Sequence, residues 1–265
     1  MLVTMKIIVT TTESYHDTPN TRIRSDIESI VRPLVAIIAL ALIWLGAARM
    51  PASAPSRYAT AGVLSAVLIG WMAVAQYLGA ANTYFAAKDT AVPFILFGLL
   101  IPLAVAAIGL WQSESVARLV SAIPLHWLVA AQVYRVLGGI FHVLWLDGRL
   151  PWQFALPAGI GDVVTGGAAV AVAALLAQNA IGAHRATYAW SLFGIADLVV
   201  AVTMGAMTSP GRAHLLAFEA PNLLISSYPL VMVPTFAVPL ALMLHGVVLW
   251  RLQRNAAATG RLATA

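Results

Sequence analysis

The chain has no cysteine. That one absence removes disulfides, thiolate-bound metals, iron–sulfur clusters, c-type haem attachment and cysteine nucleophiles. Lysine is nearly missing as well, present only as Lys6 and Lys88. Neither lies deep in an apolar run, so the intrahelical Schiff base of a retinal protein is excluded. Charge of either sign is scarce: 15 Lys+Arg and 10 Asp+Glu make 9% of 265 residues, against about 25% in an ordinary soluble domain. Also lacking are H-E-x-x-H, G-x-S-x-G, a Walker loop and G-x-G-x-x-G, so no common hydrolase, nucleotide or dinucleotide signature is present. No enzyme activity, cofactor or metal is expected from these residues.

What the chain has is apolar surface. Hydrophobic residues make up 61% of it, and its mean hydropathy is strongly positive. A soluble chain of this length needs far more polar surface to stay dissolved. The composition therefore excludes soluble globular, disordered and fibrous classes and indicates a polytopic integral membrane protein. The net charge of +5 does not indicate nucleic acid. The arginines are dispersed at the ends of apolar runs, as basic residues are beside membrane spans, and form no patch.

A spanning helix needs about 20 apolar residues at ~1.5 Å rise each. Gaps between charges define seven runs, the first of them short: Pro33–Ala48, Tyr58–Ala87, Thr90–Ser113, Leu119–Leu146, Leu150–His184, Ala186–Gly211 and Ala220–Trp250. Only Arg135, Asp162 and Asp197 interrupt them. Trp111, Trp145, Trp152, Tyr188, Tyr228 and Trp250 fall near run ends, where amphipathic rings favour the headgroup layer. Long continuous runs exclude a β-barrel, whose strands alternate over about ten residues. The expected fold is all-α: a bundle of seven transmembrane helices over residues 30–251, with a polar N-terminal tail at 1–29 and a short basic C-terminal tail at 252–265. The tail has no apolar core after an early basic region, so no cleavable signal peptide is expected. Prolines at Pro229, Pro234 and Pro239 predict a bend in the seventh helix.

Orientation follows from loop charge. Without the N-terminal tail, one side carries Arg32, Lys88, Arg149 and Arg212, and the other Arg49, Arg57, Arg118, Arg185, Arg251, Arg254 and Arg261. The second side is expected to face the cytoplasm, with the C-terminus, in a cell membrane.

An ionisable side chain at a helix centre costs roughly 2.5–3.5 kcal/mol on insertion scales, so each needs a partner or a wet cavity. Asp162 is ten residues past Trp152 and Asp197 ten past Thr187. Both therefore lie about 15 Å into their helices, near the midplane. Arg135 is the cation nearest that depth. With Gln132, Gly139 and His142 it forms one stripe of its helix at α-helical spacing. The aspartates sit in related contexts, Gly159-Ile160-Gly161-Asp162 and Gly194-Ile195-Ala196-Asp197, where small residues permit close helix approach. One arginine between two aspartates leaves a spare negative charge, which a proton or a bound cation would neutralise.

Arg135, Asp162, Asp197, Gln132 and His142 are thus the candidate residues for binding an ion or small solute. Three functions compete: a small-solute or ion/proton-coupled transporter, a non-catalytic membrane subunit or sensor whose buried charges only hold helices together, and a membrane redox protein with haem between His126 and His245, which count to similar depths from the basic side. Ordinary interhelical hydrogen bonding is the competing reading of these two histidines. The expected surroundings are the lipid bilayer and a small solute or ion, with no nucleic acid.

Overall fold

A computed structural model describes residues 19–85 and 94–263 of the protein, with side chains over 33–85 and 94–255. The N-terminal stretch through residue 18 and the Lys88-Asp89 pair lie outside the described residues. Among the described residues all regular structure is helical. Helix α1 is Pro19–Arg49, α2 Ala54–Ala80 and α3 Ile95–Gln112. A short α4, Glu114–Ala122, precedes α5, Leu125–Leu146. Then come α6 (Trp152–Ala177), α7 (Ala183–Thr208) and α8 (Val238–Ala263).

Six segments are long and apolar enough to cross a membrane: α2, α3, α5, α6, α7 and Val233–Asn255. The apolar part of α1, Pro33–Arg49, is shorter than these. The expected count of seven is therefore not confirmed. Helix α1 also begins at Pro19, inside the stretch read as a polar tail.

Two runs divide differently from the expectation. Leu119–Leu146 is not one helix. The backbone is extended at Ile123, where Pro124 disfavours a helical predecessor. The residues before it form the separate α4, capped by the Ser113 hydroxyl accepting from Val116 N–H at 3.3 Å. Helix α4 packs under the ends of α1, α2 and α3. Its Leu119 is fully buried against Gly46, where any side chain would collide with it. Arg251 of α8 donates to the carbonyls of Val120 and Ile123, which ties α4 to the end of the last helix.

The run Ala220–Trp250 is not one helix either. Residues 209–232 form a connection whose only helical piece is the single turn Leu224–Ser226. Pro221 and Pro229 supply no backbone donor. Asn222, fully buried, orders this connection: its N–H donates to Thr208 C=O at 2.9 Å and its side-chain oxygen accepts from Ile225 N–H at 3.2 Å. Helical winding starts at Val233 as one wide π-turn, Val233–Ala237, and becomes α-helical at Val238. The proline-rich segment is thus interrupted rather than merely bent.

Candidate functional site

The interior of the bundle is built where α5, α6, α7 and α8 meet, and their closest packing is α6 against α7 and against the middle of α5. That middle is unusual. Helix α5 is α-helical over Leu125–Ala130, winds as a tight 3-10 helix over Ala131–Gly139, and returns to α at Ile140–Leu146. A 3-10 helix repeats every three residues, so side chains at i and i+3 lie in line. The line here is Gln132, Arg135 and Gly138.

The expected stripe is therefore corrected. Gly139 turns toward Val163, and Gly138 takes the place assigned to it: a Cβ on Gly138 would overlap the Asp162 side chain. His142 leaves the line as well and lies with its ring against Gly159 of α6. Gln132 remains on the line, fully buried, and donates from Nε2 to Ala241 C=O of α8 at 3.0 Å. Tyr134 makes a similar bond from its hydroxyl to Ala237 C=O at 3.1 Å. Both bonds join α5 to the start of the last helix.

Arg135 stands at the centre. Its Nε donates to Asp162 Oδ1 at 2.7 Å, and its Nη2 donates to Asp197 Oδ2. Its Nη1 points to Gly194 C=O at 3.4 Å and to His245 Nε2 at 3.3 Å. One guanidinium thus joins α5 to α6, α7 and α8. Such charge-assisted bonds are the strong ones, and the fixed fork of arginine suits two carboxylates at once.

The small residues near the aspartates act across helices, not within them. Gly161 precedes Asp162, yet the carboxylate lying over it is that of Asp197. Gly194 lies three residues before Asp197, yet it receives the His245 ring. The helices approach closely because each glycine vacates the space that a neighbour's polar group fills.

His245 takes part in interhelical hydrogen bonding, not in a pair with His126. It is fully buried, with Nε2 facing Arg135, Nδ1 3.4 Å from Ser191 Oγ, and its ring 4.7 Å from that of Trp190. Trp190 in turn donates to Thr165 C=O at 2.9 Å. Both imidazole nitrogens are engaged, and His126 packs on its neighbour Trp127. These residues do not fit a bis-histidine haem. The expected match in depth fails because the break at Ile123 leaves His126 the second residue of α5, while the last segment runs on past Trp250 to Asn255. Twelve residues past Val233, His245 is about 18 Å into that segment rather than near its far end. Ser191, Trp190 and Gly138 were missed for a different reason: each is unremarkable in its own helix and matters only through what it faces.

A cavity of about 90 Å³ adjoins the cluster. Its walls are almost wholly apolar, from Val35, Phe141, Leu198, Leu230 and Phe236 among others, and the polar part comes from Asp162, Arg135 and Tyr134. This is room for a few waters or one small solute. Asp162 is the charged member turned to it: its side chain is 18% exposed, against 6% for Asp197 and 1% for Arg135. Two further polar atoms, Gln132 Oε1 and Thr165 Oγ1, are buried without a hydrogen-bond partner among the described residues. Among the described residues no group of three His, Asp or Glu is disposed to hold a metal ion.

No curated protein and no solved structure matches the chain. A family model does match, over residues 91–253, and that stretch holds Arg135, Asp162, Asp197 and His245. By that match, which spans more than half of its length, the chain belongs to the family described as a domain of unknown function, DUF8737.

Proposed function

We propose that this protein is a multi-pass membrane transporter for a small solute or ion, coupled to a proton or cation at Asp162. The observation that carries the reading is the unequal access of the two aspartates. Asp197 is closed off with Arg135, while Asp162 meets the cavity. One arginine balances one carboxylate, so the second stays charged unless a proton or cation joins it. Neutralising Asp162 releases one of the four contacts of Arg135 and leaves the other helices joined. Beside it, the π-turn Val233–Ala237 and the Pro229 region form irregular backbone against the cavity, the setting in which membrane proteins place solute sites.

The test uses purified protein in liposomes loaded with a pH-sensitive dye, with a potassium diffusion potential of either sign imposed by valinomycin. Proton flux above that of protein-free liposomes, lost in Asp162→Asn, is the expected result. Wild-type protein no faster than empty liposomes, with or without a sodium gradient, overturns it.

The saturation of Arg135 favours a second reading, in which the cluster is a structural clamp in a non-catalytic subunit or sensor. Under that reading wild-type liposomes carry no flux, and Asp162→Asn changes only stability.

We further infer that α1 adds a seventh crossing and that the protein lies in a cell membrane with its C-terminal end in the cytoplasm. The support is the distribution of charge: the connections next to Arg49, Arg57, Arg118, Arg185, Arg251 and Arg254 form the basic end. Single cysteines introduced at positions 20 and 258 of this cysteine-free chain should react from opposite sides of the membrane. Labelling of both from one side refutes the odd count.

A further inference from the structure

The basic end of the bundle holds a second feature, separate from the Arg135 cluster. A cleft of about 380 Å³ opens between the end of α1, the outer face of α4 and the end of α8. Three arginines from those three helices line it: Arg49, Arg118 and Arg254. The one acid among its lining residues is Glu114, which pairs with Arg118 at 3.8 Å. That ion pair is open to solvent, with side chains 44% and 83% exposed, and such pairs bind weakly. Three positive charges against one negative leave a net charge of +2. Arg49 has no hydrogen-bond or ion-pair partner among the described residues.

The cleft lies at the level where the bilayer meets water. Arg254 stands 4.8 Å over the Trp250 ring. On the neighbouring helix pair Arg57 stands 5.2 Å over Tyr58, whose ring is 6.2 Å from that of Trp44. Aromatic rings with arginines beside them mark the headgroup layer. Helix α4 supports this placement. Its buried Leu119 faces α1, while Glu114 and Arg118 point outward, as in a helix lying in the interfacial plane. Its position is held by Arg251, which is spent on the carbonyls of Val120 and Ile123, so Arg251 anchors the floor and the other three arginines remain for a ligand.

We propose that this cleft binds a phosphate group, carried by the headgroup of an anionic phospholipid in the adjoining leaflet. Planar guanidinium groups from three directions suit phosphate oxygens, and the Ser121 hydroxyl on the same wall adds a donor. Basic pockets between helix ends at the membrane border are the setting for such headgroups. Tethered in this way, a lipid would join α1, α4 and α8 at one end of the bundle.

The test is native mass spectrometry of the full-length protein in a neutral detergent, with phosphatidylglycerol and phosphatidylcholine supplied in equal amounts. Wild type should retain phosphatidylglycerol preferentially. Arg49→Gln, Arg118→Gln and Arg254→Gln should each lower that retention by about fivefold, as expected for one basic residue at an anionic surface. Glu114→Gln removes the opposing charge and should raise retention, a gain that no folding defect can mimic. Equal retention of the two lipids by wild type overturns the proposal, and so does a Glu114→Gln protein that binds no more than wild type. A separate arm adds inorganic phosphate against chloride at matched ionic strength. Displacement of the lipid by phosphate alone would keep the phosphate chemistry but overturn the lipid as its source.

Discussion

Helices α3 and α5 are the extremes of this bundle. Of the six long segments α3 is the most apolar, and 11% of its apolar window is buried by protein. Helix α5 is the least apolar, and 44% of its window is buried. In a soluble protein the order is the reverse, because water drives the most apolar surface inward. In lipid that drive is absent, and polar groups and small residues bring helices together. Helix α3 exposes Phe97, Leu100, Ile101, Val105 and Ile108. Helix α5 hides Gln132, Tyr134 and Arg135. The position of a helix in this fold follows the polar bonds it can make.

The comparison is broken most severely at Arg135. Arg135→Ala leaves Asp162 and Asp197 buried without their shared cation, which should destabilise the protein by roughly 3–5 kcal/mol. Unfolding in detergent micelles measures this. Adding Asp162→Asn or Asp197→Asn to Arg135→Ala should recover much of the loss, because a neutral amide needs no counter-charge. An exposed position on α3, such as Ile101→Ala, should change stability by about 0.5 kcal/mol or less. Equal losses at the two sites would refute the view that polar contacts order the bundle.

His245→Ala comes next. It removes the contact to Arg135 Nη1 and the contact to Ser191, and should cost about 1–3 kcal/mol. Ser191→Ala touches only the outer contact, 3.4 Å long, and should cost less. If Ser191→Ala proved the more damaging, the order of contacts from Arg135 outward would be wrong.

The depth of the charged groups was legible from counting residues. Asp162 is ten residues into α6 and Asp197, although α7 starts four residues before Thr187, is fourteen into α7; both lie near the middle of their helices, and only Arg135 could meet them there. The partners that depend on local winding were not legible. Nothing in Ala131–Gly139 announces a 3-10 helix, and a change from 3.6 to three residues per turn exchanges Gly139 for Gly138 and moves His142 away. The start of the last helix was hidden as well. Ala220–Trp250 is free of charge, and its apolar connection at 220–232 reads like a span although it folds into the bundle as irregular chain. Hydropathy records a preference for lipid or protein interior over water and does not distinguish the two. The crossed use of glycine, with Gly161 serving Asp197 and Gly194 serving His245, is a property of helix pairs that no single helix displays.

Glycine substitutions sharpen the comparison further. In Gly161→Ala the new Cβ falls on the Asp197 carboxylate, which Arg135 holds and which cannot step aside. In Gly138→Ala it falls on Asp162. Each should cost about 1–3 kcal/mol, the usual range for overpacking a core. Asp162 borders the cavity and has somewhere to move, so Gly138→Ala should be the milder of the two.

The smallest effect should also reverse sign. Gly70 lies in the interior of α2, and a Cβ added there meets nothing within 4 Å. Its neighbours Ile69 and Val67 are exposed, so the methyl of alanine would project toward lipid. Glycine within a helix is less favourable than alanine by about 0.5–1 kcal/mol, because it gives up more backbone freedom on folding. Gly70→Ala should therefore stabilise the protein by up to that amount while Gly161→Ala destabilises it. The same atoms are added to the same residue type in both, so the difference reports only what faces each glycine. A loss at Gly70 comparable to that at Gly161 would mean that α2 packs against protein on this face, and the contrast between a lipid-facing and a polar-bonded part of the bundle would fail there.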